Sequence, residues 1–168
     1  MTRAALCLVL IVVAGLAWAE APQWKLHTYL EDGFQVEFSG DVGVSPAPLD
    51  DRDRAEIVRA TNYVQNAEDF AYIVVSGLFK HGPDFAKGKD GSFSGAKCGS
   101  ILSDEPVPSA KGQAREVRGT DCQDGTWRVE ARYYESGPWF YQVIAVFKKD
   151  AGDASAARHF LQSFKLAD

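Results

Sequence analysis

Gly91-Ser92-Phe93-Ser94-Gly95 is the stretch whose residue types come nearest to a catalytic motif. A nucleophile elbow needs serine at the third of five positions, held between glycines on a sharp strand-to-helix turn. Here that position is Phe93, and no apolar strand runs directly into the segment. A serine hydrolase built on it would have to bring Ser92 or Ser94 within hydrogen-bond reach of His81 or His159. A secreted hydrolase with its site in residues 81–99 therefore stands as the alternative to a non-catalytic role. Phosphate cradling by the same glycines is excluded. Gly88-Lys89-Asp90-Gly91 lacks the Gly-Lys-Ser/Thr ending and sets a carboxylate where phosphate would lie.

Metal chemistry finds little to work with. His27, His81 and His159 are far apart and form no H-x-H or H-x-x-x-H pair. Asp50-Asp51-Arg52-Asp53-Arg54 places three carboxylates close together but lacks the alternate ligands, central glycine and distal glutamate of a calcium loop. It reads as a solvated loop of mutually neutralising charges. The sequence thus implies no metal and no cofactor. The carboxylate pairs Glu68/Asp69, Asp104/Glu105 and Asp121/Asp124 all fall at turns, where such residues are expected for backbone reasons. Cys98 and Cys122 are expected to form a disulfide, because Asp121 and Asp124 beside Cys122 disfavour a thiolate.

The elements that must position any site are led by Thr126–Lys149. Two alternating runs, Trp127–Tyr134 and Trp139–Phe147, flank Glu135-Ser136-Gly137-Pro138 and predict a hairpin at the centre of an antiparallel sheet. Within it Arg128, Glu130 and Arg132 share a face suited to ion pairs. Alternation cannot bury all of its aromatic residues on one face. Tyr134, Trp139 and Tyr141 are therefore the candidate binding residues, with Tyr134 and Trp139 as the outward ones near the turn. Trp24–Leu30 and Phe34–Phe38 predict an earlier hairpin across Asp32-Gly33, followed by a surface loop over residues 39–51. Ala55–Val64 and Phe70–Phe79 predict longer strands, the second central because Ile73, Val74 and Val75 are consecutive. Its Gly77 predicts a bulge or a close packing partner. Residues 81–99 read as irregular, with at most a short helix near Asp84–Lys87. Pro106 and Pro108 bracket a connection, and Gln113–Cys122 reads as an edge strand. Asp153 caps a final helix whose Ala154, Ala157, Phe160, Leu161 and Phe164 form one apolar stripe. The expected class is α+β, a mostly antiparallel sheet of about seven strands with a C-terminal amphipathic helix packed on it.

Arg3, the apolar run Ala4–Leu16 and Ala17-Trp18-Ala19 have the layout of a secretory signal peptide cleaved after Ala19. That run falls short of the roughly 20 residues a spanning helix needs, so no stable membrane insertion is expected after cleavage. Residues 20–168 then form one domain, exported to the periplasm or beyond, in a compartment that allows the disulfide. Without Arg3, 17 basic residues face 23 acidic ones. A net of −6 without a basic stripe excludes nucleic acid as a partner.

Phe34-Gln35-Val36-Glu37-Phe38-Ser39-Gly40, the tyrosine-rich late hairpin and Phe160-Leu161-Gln162-Ser163-Phe164-Lys165-Leu166 carry a family resemblance. They resemble the F-x-V-x-F-P-G strand, hairpin and F-L-x-S-F-x-L ending of small exported bacterial proteins with a PsbP-like α/β fold. The chain departs at Ser39, where proline is usual, and in its glycine-rich segment with Cys98. The resemblance spans most of residues 20–168 and implies a binding or assembly role without a catalytic site. The expected function is a non-enzymatic binding or accessory module of the cell envelope that contacts a protein or peptide, through the hairpin aromatics or the 88–99 segment. A structural or stress protein of the envelope without a small ligand is the third reading.

Overall fold

The alternation of Trp127–Phe147 is realised at the middle of a seven-stranded antiparallel sheet. A computed structural model describes residues 22–150 and 154–167. The strands are β1 (Lys25–Tyr29), β2 (Phe34–Phe38), β3 (Gly43–Pro46), β4 (Ile57–Asn66), β5 (Phe70–Phe79), β6 (Cys98–Pro106), β7 (Ala114–Cys122), β8 (Trp127–Ser136), β9 (Trp139–Lys148) and β10 (Lys165–Leu166). The helices are α1 (Asp51–Glu56), α2 (Phe85–Gly95) and α3 (Ala154–Ser163). The large sheet runs β3-β4-β5-β9-β8-β7-β6, and a small sheet runs β1-β2-β10. The class is α+β, with the C-terminal helix on the sheet as expected. The expected leader over residues 1–19 and the expected cap Asp153 lie outside the described residues.

Both faces of the central hairpin are covered, which resolves the excess of aromatics. On one face α3 and the small sheet bury Tyr134, Tyr141, Val143, Ala145 and Phe147 against Phe34, Phe38, Phe160, Leu161 and Phe164. On the other, α2 lays Phe85 and Phe93 over Val129, Ala131, Tyr133 and Phe140. Burial under α2 pushes the Tyr133 phenol up to about 12, although its bond to the Ser92 hydroxyl acts the other way.

Four local expectations are corrected. Residues 85–95 form an eleven-residue helix, capped by Asp84, whose carboxylate accepts the Lys87 N–H at 3.1 Å. Gly88 weakens that helix in isolation by about 1 kcal/mol. A Cβ there would stand 3.0 Å from the Phe140 ring, so the glycine is what lets the helix lie on the sheet. Second, Asp50 caps α1 through the Asp53 N–H at 2.8 Å, so β4 begins at Ile57 and not at Ala55. Third, the surface loop after β2 contains β3. Fourth, the connection at Pro106 is preceded by β6, which pairs along β7 and takes the edge position from it. At Gly77 a Cβ would stand 3.2 Å from the Phe79 ring, a close packing partner.

Cys98 and Cys122 occupy opposed positions of β6 and β7 and are disulfide-bonded. The bond pins the outermost strand at its start, with Cys122 fully buried in the cluster under α2. Closing a loop of this length stabilises by about 3 kcal/mol in the chain-entropy model. Reduction, or Cys98→Ser with Cys122→Ser, should lower unfolding free energy by about that amount in urea titrations. A change below about 0.5 kcal/mol would show that the bond constrains nothing the strand pairing does not already fix.

Candidate functional site

The turn between β1 and β2 gathers several buried polar groups around Asp32. Leu30–Asp32 makes one 3-10 turn, closed by Gly33 in the left-handed region (φ 68), whose N–H donates to the Leu30 carbonyl at 3.2 Å. A Cβ at Gly33 would press on the Tyr141 hydroxyl at 3.3 Å. The Tyr141 hydroxyl instead donates to the Asp32 carbonyl at 2.9 Å. This turn aims the Asp32 side chain inward, where it is 3 % exposed.

Its carboxylate accepts from three sides. Arg59 Nη2 reaches Oδ1 at 2.5 Å, Tyr63 donates to Oδ2 at 2.7 Å, and the Ser76 hydroxyl donates to Oδ2 as well. The same Arg59 nitrogen donates to the Glu31 carbonyl at 2.8 Å, and its guanidinium lies 5.5 Å from the Trp139 ring centroid. Burial, then the bond and charge of Asp32, hold the Tyr63 phenol far above its usual range. Burial followed by the Asp32 charge does the same to Tyr141. Asp32 is thus a satisfied buried anion. Its oxygens face donors and not solvent, so it has no position from which to take a substrate proton.

Above this cluster opens a groove of about 440 Å³, walled by Thr28 and Tyr29 of β1, Leu30 of the turn, Val44 of β3, and Arg59 and Thr61 of β4. Leu30 and Val44 on its rim are 79 % and 57 % exposed. Among the described residues, strand β1 pairs only with β2, and β3 only with β4. The groove is therefore flanked by two strands that each keep one unpaired backbone edge.

A second groove of about 320 Å³ holds His159, Glu37 and Ser163. His159 Nε2 lies 2.6 Å from Glu37 Oε2, and the Trp24 ring lies tilted by 34° against the imidazole, centroids 4.3 Å apart. Ser163 donates its proton to the Phe160 carbonyl at 2.7 Å and accepts the Glu37 N–H at 3.0 Å. That hydroxyl is committed to the helix and the strand, and it is not handed to the histidine as a nucleophile would be.

The sequence candidates are dispersed by the fold. Ser92 donates to Gln142 at 2.6 Å under α2, whereas His159 is on α3 across the sheet. Ser94 donates to the Gly91 carbonyl of its own helix. Ser92 and His159, on opposite faces of the sheet, cannot form a triad with each other. Among the described residues no hydrogen bond joins His81 to Ser92 or Ser94, whose hydroxyls go to Gln142 and Gly91. Tyr134 and Tyr141 are core residues, Tyr134 lying 4.9 Å from Phe164. Trp139 is half-buried between Tyr141 and Arg59. Of the three, only Trp139 adjoins the groove residues from the solvent side of the core. Among the described residues no three His, Cys, Asp or Glu side chains converge as metal ligands, and no helix is long and apolar enough to cross a membrane.

The ion-paired hairpin face centres on Glu116, which accepts from Arg132 at 2.6 Å and also from Arg118. Desolvation raises its carboxyl, but bonds and charges from the two arginines outweigh this and hold it below the usual range. A depressed pKa contributes stability that is complete above the unfolded value near 4.5 and fades as pH falls through the folded value. Unfolding free energy should therefore decline on acidification below about pH 4.5, with a shallower decline in Glu116→Gln; equal slopes would refute the assignment.

No known family model matches this chain, and no curated protein matches it. Ser39, where the resembled motif has proline, donates its N–H to Gln65 at 3.0 Å, a bond that proline could not make.

Proposed function

We propose that this protein is a non-enzymatic binding module of the cell envelope that takes an extended segment of a protein partner into the groove over Asp32. The observation that carries this reading is the contrast between the groove's floor and its rim. The floor is a carboxylate whose oxygens are already taken up by Arg59, Tyr63 and Ser76. The rim offers exposed Leu30 and Val44 between two unpaired strand edges. Extended peptides bind such places by adding a strand to the edge, and alternate side chains enter the neighbouring pocket. The disulfide supports export, since such bonds persist in oxidising compartments.

Selection of linear peptides from a random display library on the immobilised protein tests this. Enriched peptides should carry apolar residues at alternate positions. They should bind Leu30→Asp/Val44→Asp at least about tenfold more weakly, a loss of about 1.4 kcal/mol. Both side chains are exposed, so the variant keeps its fold, which circular dichroism checks. Peptides that bind both proteins equally, or no enrichment at all, would refute the reading.

A further inference from the structure

The groove over Asp32 is acidic where it is open. Its lining holds two carboxylates, Glu31 and Asp32, against one guanidinium, Arg59, and among the described residues no lysine. Asp32 is buried and committed to Arg59 at 2.5 Å. Glu31 is exposed, and among the described residues its carboxylate has neither an ion pair nor a hydrogen bond. Only its backbone carbonyl is used, by Arg59. The unbalanced charge of the groove is therefore the one at Glu31. The whole chain carries a formal net charge of −5 at pH 7, so the wider field has the same sign.

The protein already shows how a cation is held in this place. The Arg59 guanidinium has a carboxylate, Asp32, on one side and the Trp139 ring 5.5 Å away. Beside it, Glu31 and Tyr29 offer the same combination of carboxylate and ring at the groove surface. The Tyr29 ring lines the groove and is fixed by Tyr63 at 4.1 Å and Phe34 at 5.0 Å.

From this charge balance we infer that the extended segment taken by the groove is basic: a lysine or arginine of the partner sets its cation against Glu31 and the Tyr29 ring, while neighbouring apolar residues cover Leu30 and Val44. The inference rests on the peptide reading of the groove and names the chemistry of that peptide. A cation beside a carboxylate and an aromatic ring gains from both. An acidic segment would meet Glu31 with no counter-charge, because Arg59 is committed to Asp32 and the Glu31 carbonyl. A neutral segment would cover Glu31 without giving it a partner.

Three synthetic peptides of one design test this. Each has valine at alternate positions, serine between them, blocked ends, and lysine, glutamine or glutamate at both flanks. Isothermal titration into the purified protein should give dissociation constants that rise in the order lysine, glutamine, glutamate. The step from lysine to glutamine should be about threefold, the size of one exposed ion pair, and should shrink in molar salt. Glu31→Gln should erase that step, and Glu31→Lys should make the glutamate peptide the tightest. A glutamine or glutamate peptide that binds as tightly as the lysine one, or a lysine preference that survives Glu31→Lys, would overturn the inference. The groove reading is scored separately by Leu30→Asn/Val44→Asn, which removes the apolar rim without adding charge. A loss of about tenfold for the glutamine peptide upholds that reading whatever the charge order. If none of the three peptides binds at about millimolar concentration, both readings fall.

Discussion

Asp32→Ala should unfold more of this protein's stability than any other single polar substitution. Its carboxylate is the common acceptor for Arg59 and Tyr63 of β4 and Ser76 of the neighbouring β5. Removing it leaves the Tyr63 and Ser76 hydroxyls buried without this acceptor, leaves Arg59 with the Glu31 carbonyl alone, and leaves a void under the turn. Leaving a buried donor unsatisfied costs about 1–3 kcal/mol, and here two hydroxyls lose their acceptor at once. Typical domains have about 5–15 kcal/mol in total, so the variant should be marginal at room temperature. Urea titration with tryptophan fluorescence measures this directly, and Ser76→Ala should cost far less since the carboxylate keeps two donors. A loss below about 1 kcal/mol for Asp32→Ala would mean the turn is held by β1–β2 pairing alone. The groove's binding role would then need another anchor.

Phe160→Ala should match it from the apolar side. The ring is completely buried, stacked on Tyr72 at 4.7 Å and tilted against Phe38 at 5.3 Å. It is the contact through which α3 touches the small sheet and the large one at once. Phenylalanine truncations in such cores cost about 3–5 kcal/mol, the transfer term plus the cavity left behind. Phe160→Leu should recover more than half of that in the same titration. Equal losses for the two variants would show that the site collapses around either side chain and that α3 is a loose cover. Truncation before Phe160 removes Leu161 and Phe164 as well and should leave no cooperative unfolding transition.

What could be read from the sequence was what local periodicity encodes. Alternation located β2, β8 and β9, the apolar run through Ile73, Val74 and Val75 located β5, and the stripe of Ala157, Phe160 and Leu161 located α3. Helix α2 was hidden because its glycines count against a helix locally, while Gly88 answers to Phe140 more than fifty residues away. The candidate site was hidden for the same reason. Asp32-Gly33 reads as a turn, and its partners stand 27, 31, 44 and 109 residues downstream. One trace was present: Ser76, a hydroxyl inside the apolar run Phe70–Phe79, needs a buried partner. The aromatic hairpin looked like the binding surface because composition alone does not reveal that both faces are covered.

The small sheet has a consequence for the order of events during synthesis. Its central strand β2 is flanked by β1 and by β10, whose Lys165 and Leu166 pair with Gln35 and Phe34. Ala167 donates to the Gly33 carbonyl at 2.8 Å, and Lys111 reaches the Ala167 carbonyl at 2.6 Å. A chain emerging from its N-terminus therefore makes β2 long before β10 and keeps one of its sides open until β10 has appeared. Contacts of such long sequence separation form slowly, because loop closure comes before any reward from pairing. The small sheet of a nascent chain stays incomplete until Lys165 and Leu166 are free to pair.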